Sequence, residues 1–417
     1  MDILEFSFAR LLLVAFITII VFSWIRKANF KCKLYYIPFV SFIFIYSGIG
    51  YGWATCNNNY LILYTIYILI FSLTCRYYSR RTKYPSLHKE YFINILINNY
   101  GHKLIIGYIF ICILELASIG KISNLWSPPT MTDEFSSFNW DINKGGVSQL
   151  LYYLKEIFYI FYILSLYRYR NNTKKLLLYI LFPFYITYVT NAYLARGAVM
   201  AFLLLIFVNY CLTHPQYRKK IIIATILGVP VVLYILSVYT YVRMGVEFEE
   251  TFTFALKLLA FQETKYPIHY EDIIRNGFNG DIFRTYVEWI ATLPLPGFLS
   301  PFNSDYAFTA RFSEMILGIS RTSIGFNILL PGVVGEGAFI MGFFYPIHAF
   351  LFAYIISFVY KNLQLKQEIF LLMYYGIYAA FVIARGGTVS MYPFYFKHFI
   401  LYLLFVYYFK RTIASGK

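Results

Sequence analysis

Residues 331–360 read PGVVGEGAFIMGFFYPIHAFLFAYIISFVY, and Lys361 follows. A membrane helix needs about 20 mostly apolar residues, so 338–360 predicts a span, with His348 inside it as a packing or hydrogen-bonded residue. One acid, Glu336, stands just before that span between Gly335 and Gly337. An acid at a helix N-terminus is favoured by about 0.3–1 kcal/mol, and a glycine in a helix costs about 1 kcal/mol relative to alanine. The sequence therefore predicts Glu336 at the membrane–water boundary with space around its carboxylate. It is either a helix-terminal acid or a general acid–base group.

The rest of the chain repeats the apolar theme. Of 417 residues, 59% are hydrophobic, 22% aromatic and only 13% charged. That balance excludes an ordinary soluble domain and fits an all-α, polytopic integral membrane protein. Eleven candidate spans lie near 8–25, 34–54, 60–75, 104–120, 148–167, 176–194, 198–213, 221–242, 338–360, 368–384 and 396–409. The segment 84–103 is the place where a helix is most easily gained or missed. No removable signal peptide is apparent.

The formal charge of +16 is spread in short clusters between the apolar runs. This pattern argues against nucleic acid and for membrane orientation. Arg26 and Lys27, Arg80 and Arg81, Lys174 and Lys175, Lys219 and Lys220, Lys361, and Lys410 fall in every second connection. Those connections are expected to be cytoplasmic, which puts the N-terminus outside and the C-terminus in the cytoplasm. The chain then divides into eight spans over 1–242, an exterior loop over 243–337 and three spans over 338–417. An ordered insertion of that length on one face is usually functional. Ile282, Phe283, Tyr286, Val287, Ile290 and Leu293 have helical spacing inside it, as do Phe308, Phe312, Met315 and Ile316. Both pieces are expected to lie along the outer membrane surface with the apolar side inward.

Positive residues are disfavoured at outward helix ends, so Arg196 (LARGAVM), Arg243 (YVRMG) and Arg385 (IARGGTV) stand out. Each has a glycine nearby, and arginine grips phosphate through a planar fork. Snorkelling to lipid headgroups is the alternative use of any one of them; three on one face suggest an anionic ligand. The exterior loop adds Arg311, Arg321 and a lone His269 as possible substrate or acid–base groups. Lys155 and Glu156 fall inside the fifth span, where pairing, snorkelling and an amphipathic helix start all remain open. Five scattered cysteines include no CxxC pair; Cys56 is the one expected on the outer face, and no disulfide is expected. No phosphate-binding GxxxxGK[ST] loop, no HExxH, no Cys/His cluster and no exterior DxD pair appears, so neither cofactor nor metal is expected.

Gly332, Gly335, Glu336, Phe339, Gly342 and Phe343 together resemble the glycine–glutamate motif near the last long outer loop of Wzy-type polymerases. These are the bacterial O-antigen or oligosaccharide repeat-unit polymerases. LARGAVM resembles the Arg-Gly segment at the outer end of a central helix in the same superfamily, which includes the O-antigen ligases. Arg321 and Gly332 also fit an R-x10-G spacing of such loops. The resemblance implies a metal-independent glycosyltransferase with about eleven spans and a long, partly helical periplasmic loop. Its substrate would be an oligosaccharide linked to undecaprenyl pyrophosphate, handled on the periplasmic face of the bacterial inner membrane. Glu336 would be the general base, and Arg196, Arg243 and Arg385 would hold pyrophosphate. A chain-length regulator would be a possible partner, with membrane lipid around the chain and no nucleic acid. An O-antigen ligase, kept open by His269, and a lipid-linked oligosaccharide flippase are the competing readings.

Overall fold

The computed structural model describes residues 6–26, 30–53, 56–80, 87–128, 146–191, 280–292, 308–320 and 331–414, with short pieces between 207 and 264 and at 329. The described residues are helical throughout, apart from turns and one isolated bridge between Phe6 and Trp53. Among the described residues six helices are long and apolar enough to cross a membrane: Lys31–Gly52, Asn58–Arg80, Leu87–Ser118, Gly146–Tyr169, Gly332–Asn362 and Ile369–Gly386. Phe8–Ser23 and His398–Phe409 are shorter apolar helices. The expected spans at 198–213 and 221–242 fall almost wholly outside the described residues.

Two boundaries differ from the sequence reading. The helix expected at 104–120 begins at Leu87. Its first part hides Phe92, Ile93, Leu96 and Ile97 while His88, Glu90, Asn98 and Asn99 are exposed. An amphipathic segment runs straight into the apolar one, and average hydropathy breaks them apart. The helix expected to start at 338 instead starts at Gly332 and breaks at Gly342, whose φ is +53°.

The chain folds into two compact units. The first comprises Met1–Tyr84, Ala260–Gln364 and Tyr375–Lys397. It contains α1 (Phe8–Arg26), α2 (Phe30–Ile43) and α3 (Asn58–Arg80). With them are α8 (Gly280–Thr292), α9 (Phe308–Leu317), α10 (Gly332–Met341), α11 (Tyr345–Asn362), α13 (Ala379–Gly386) and α14 (Thr388–Tyr395). Helix α3 packs along α11, α13 against α2, and α10 against both α11 and α13. Buried aromatic residues fill the interior: Tyr35, Tyr36 and Phe39 of α2 meet Tyr360 and Phe352 of α11, and Tyr35 donates to the Ile356 carbonyl at 3.0 Å. At one end Arg10 donates to the carbonyls of Trp53 (3.2 Å) and Cys56 (2.8 Å). Cys56, expected on the outer face, is buried there, and burial pushes its thiol up to about 12. The four described cysteines are free thiols, and Cys211 lies outside the described residues.

The second unit comprises Pro85–Leu259, Leu365–Tyr374 and His398–Lys417. It holds α4 (Leu87–Ile95), α5 (Gly101–Ser118), α6 (Gly146–Leu166), α7 (Thr173–Asn191), α12 (Ile369–Met373) and α15 (Leu401–Ala414). Helix α6 is the hub, against α5, α12 and α15. Its charged pair is accounted for: Lys155 binds Glu115 of α5, and Glu156 binds His398 at 3.0 Å. Pairing therefore wins over snorkelling, as expected for charge held among apolar helices. Glu368 is fully buried and accepts from the Leu365 N–H (3.0 Å), the Tyr402 hydroxyl and Lys89 (2.5 Å). Lys89 of α4 is thus committed to an internal ion pair.

Candidate functional site

The sequence placed Glu336 ahead of a helix, with open space around its carboxylate. The structure corrects this. Pro331 precedes α10, and Glu336 sits in its second turn with no solvent exposure. The acid is therefore not a terminal residue interacting with the helix dipole, and its carboxylate is not surrounded by open space. A buried carboxylate must be met by donors, or it costs several kcal/mol.

Those donors come from the other motif. Helix α13 carries Arg385 in its last turn and ends at Gly386. Gly387 follows with φ +71°, a conformation that glycine adopts without steric cost, and the chain re-enters helix at Thr388. This sharp turn aims two donors of one residue at one carboxylate. The Thr388 N–H donates to Glu336 Oε2 at 2.5 Å, and the Thr388 hydroxyl donates to Oε1 at 2.9 Å. Gly387 is also spatially obligatory, since a Cβ there would lie 2.5 Å from the Glu336 carboxyl carbon. The glycines around the acid thus admit neighbours close to it, where the sequence had suggested that they keep space free.

Three further side chains close the site. Tyr286 of α8 hydrogen-bonds the Thr388 hydroxyl. Since that hydroxyl gives its proton to Glu336, Tyr286 is the donor, and the order is Tyr286 to Thr388 to Glu336. Burial, and then the Glu336 charge, hold the Tyr286 phenol well above its usual range, so it keeps its proton. His348 of α11 places Nε2 at 3.4 Å from Glu336 Oε2, and its Nδ1 lies 2.9 Å from the Tyr67 hydroxyl of α3. Four helices besides α10 therefore contribute polar groups to one buried carboxylate. Sequence reasoning left Thr388 and Tyr67 without a role and gave Tyr286 only a place in an apolar stripe; the threonine directly after Arg-Gly-Gly is the signal that was available.

The helices expected along the exterior loop do face inward in part. Ile282 and Tyr286 of α8 are buried, yet Phe283 and Val287 of the same apolar stripe are exposed. The stripe is wider than the surface it covers. Helix α9, which carries the half-buried Arg311, sets Phe312 edge-on against Phe339 of α10 at 5.4 Å. Arg385 is half-buried, two residues before the Gly387 turn. Arg196, Arg243, His269 and Arg321 lie outside the described residues, so the meeting of the three outward arginines is an expectation that rests on the sequence. Among the described residues no group of three or more His, Cys, Asp or Glu side chains is placed to hold a metal.

The arrangement can do two things chemically. A carboxylate held by the N–H and hydroxyl of Thr388 is a group that can accept a proton. The turn at Gly387, tied to Glu336 through Thr388, anchors the backbone that carries Arg385. Compared with family models, curated proteins and solved structures, the chain matches none, so the case for its chemistry rests on its own residues.

Proposed function

We propose that the chain is a membrane glycosyltransferase that polymerises oligosaccharide repeat units linked to undecaprenyl pyrophosphate, on the periplasmic face of the bacterial inner membrane. The observation that carries this reading is the hydrogen-bonded contact of two sequence motifs 52 positions apart: the glycine-flanked Glu336 and the turn that follows Arg385. A transfer of this kind needs a base for the acceptor hydroxyl and a cation for the departing pyrophosphate. The contact holds a candidate for each within one unit.

In this reading Glu336 removes the proton of the acceptor hydroxyl as the new glycosidic bond forms. The bond from the anomeric carbon to the phosphate oxygen breaks, its electron pair leaves with the pyrophosphate, and Arg385, joined by Arg196 and Arg243, stabilises that charge. Arg311 and Arg321 line the approach of the glycan, and His269 is a further acid–base group. No metal or other cofactor takes part. About eleven spans, with 243–337 outside, complete the architecture, and a chain-length regulator is a partner on that side.

Glu336→Gln tests the base. Glutamine preserves the acceptor for the Thr388 N–H and the shape of the site, and removes the proton acceptor. General acid–base groups contribute about 10²–10⁴-fold in rate, so this variant should be present in normal amounts and make almost no polymer. A full glycan ladder from it would reduce Glu336 to a clamp on the Arg385 turn; Glu336→Ala, which loses the clamp as well, would then be the defective variant.

One observation favours a second reading. The ion pairs Glu115–Lys155 and Glu156–His398 lie within apolar helices, as they do in transporters. A lipid-linked oligosaccharide flippase would use such pairs along a polar path. Loss of a flippase leaves the lipid A core without any glycan unit, whereas loss of a polymerase leaves one.

A further inference from the structure

The proposed chemistry leaves His348 without a task, although it is buried beside the acid. Its Nε2 is fully enclosed and makes no aligned hydrogen bond, and Glu336 Oε2 stands 3.4 Å away, just beyond the usual 2.7–3.2 Å range. A bare nitrogen lone pair facing carboxylate lone pairs is repulsive there; an N–H is attractive. In the neutral imidazole Nδ1, 2.9 Å from the Tyr67 oxygen, then accepts, and a tyrosine hydroxyl can donate. Gly337 belongs to the same arrangement, since a Cβ at that position would lie 2.9 Å from Nδ1. The glycine after Glu336 is what lets the imidazole approach.

We propose that His348 is a positioning residue for Glu336: a neutral imidazole that carries its proton on Nε2, directed at the carboxylate, with Tyr67 donating to Nδ1. The consequence for the acid is a fixed orientation. Oε2 is approached by the Thr388 N–H and the imidazole, and Oε1 by the Thr388 hydroxyl. Held in this way, the carboxylate is oriented to take the proton from the acceptor hydroxyl. This last step rests on the reading of Glu336 as the base. The assignment of the imidazole proton does not.

The test is solid-state NMR on the full-length, ¹³C,¹⁵N-labelled protein in lipid bilayers. The chain has six histidines, and the signal missing from His348→Gln identifies the one concerned. The expected result is a protonated Nε2 and a bare Nδ1 in the wild type, with the opposite tautomer appearing in Glu336→Ala, where the carboxylate no longer sets the preference. A wild-type His348 protonated on Nδ1, alone or together with Nε2, overturns the assignment; so does a tautomer indifferent to Glu336→Ala. Polymer formation supplies the second arm. His348→Leu fills the space without a donor and should lose about tenfold or more, as supporting hydrogen bonds of this kind do. His348→Gln, whose amide can donate, should lose distinctly less. Equal polymer from both at equal protein amounts makes His348 a packing residue and overturns the positioning role. If a strain lacking the chain still makes polymer, the polymerase reading fails, and the NMR arm still decides the Glu336–His348 pair.

Discussion

Glu336 shows how far single residues can be read from the sequence. Its glycine flanks mark an unusual position, and the acid is indeed central to a polar network. Its surroundings were read the wrong way round, because a glycine signals close approach without saying by what. The approaching groups are Thr388 and His348, and a linear pattern does not reveal which of many polar residues will arrive. Gly387→Ala probes this contact. An L-residue at φ +71° costs roughly 1–2 kcal/mol, and the new Cβ would meet the Glu336 carboxylate. The variant should show a lowered melting temperature in detergent and little polymer. Gly107→Ala is the control: it lies within α5 with no neighbouring atom near its Cβ position. Alanine there should be neutral or stabilise by up to about 1 kcal/mol. Equal behaviour of the two variants would contradict the described contact.

At the level of elements, apolar runs and helical spacing located most of the described helices, and their ends were not legible. The helix from Leu87 to Ser118 joins an amphipathic to an apolar stretch, and Gly332–Asn362 contains a break at Gly342. Both depend on which face finds a partner, a tertiary matter. Ion pairs between helices were equally hidden, since Lys155 meets Glu115 40 residues earlier. This pair sits between α5 and α6, with side-chain exposures of 4% for Glu115 and 21% for Lys155. Removing one partner leaves a charge uncompensated, which costs about 3–5 kcal/mol in buried pairs, whereas replacing both by apolar groups is often neutral. Lys155→Met should therefore destabilise the protein strongly in thermal unfolding, and the double variant Glu115→Leu with Lys155→Met should recover most of the loss. A double variant as unstable as the single one would mean that the pair is not the relevant partner.

For the molecule as a whole, composition and the periodic placement of Lys and Arg indicate a multi-pass helical membrane protein, and six long apolar helices agree with that. The division into two units was not legible, because each unit is assembled from three separated stretches of chain. The sequence divides the chain by loop length, while packing divides it by which helices share an interior. The two motifs of the candidate site are brought together in the first unit, within which α8 and α9 also pack. A segment read as exterior thus reaches the acid of the site through Tyr286.

The most direct test of the central claim is the lipopolysaccharide profile of a strain from which this chain alone has been deleted, compared with the same strain complemented. Deletion should leave lipid A core carrying a single repeat unit, with no ladder above it, because transfer to the core continues while polymerisation stops. Complementation by the wild-type chain should restore the ladder, and complementation by Glu336→Gln should not. A bare core after deletion would assign the chain to ligation or to transport of the lipid-linked unit, and an unchanged ladder would contradict a role in building this glycan.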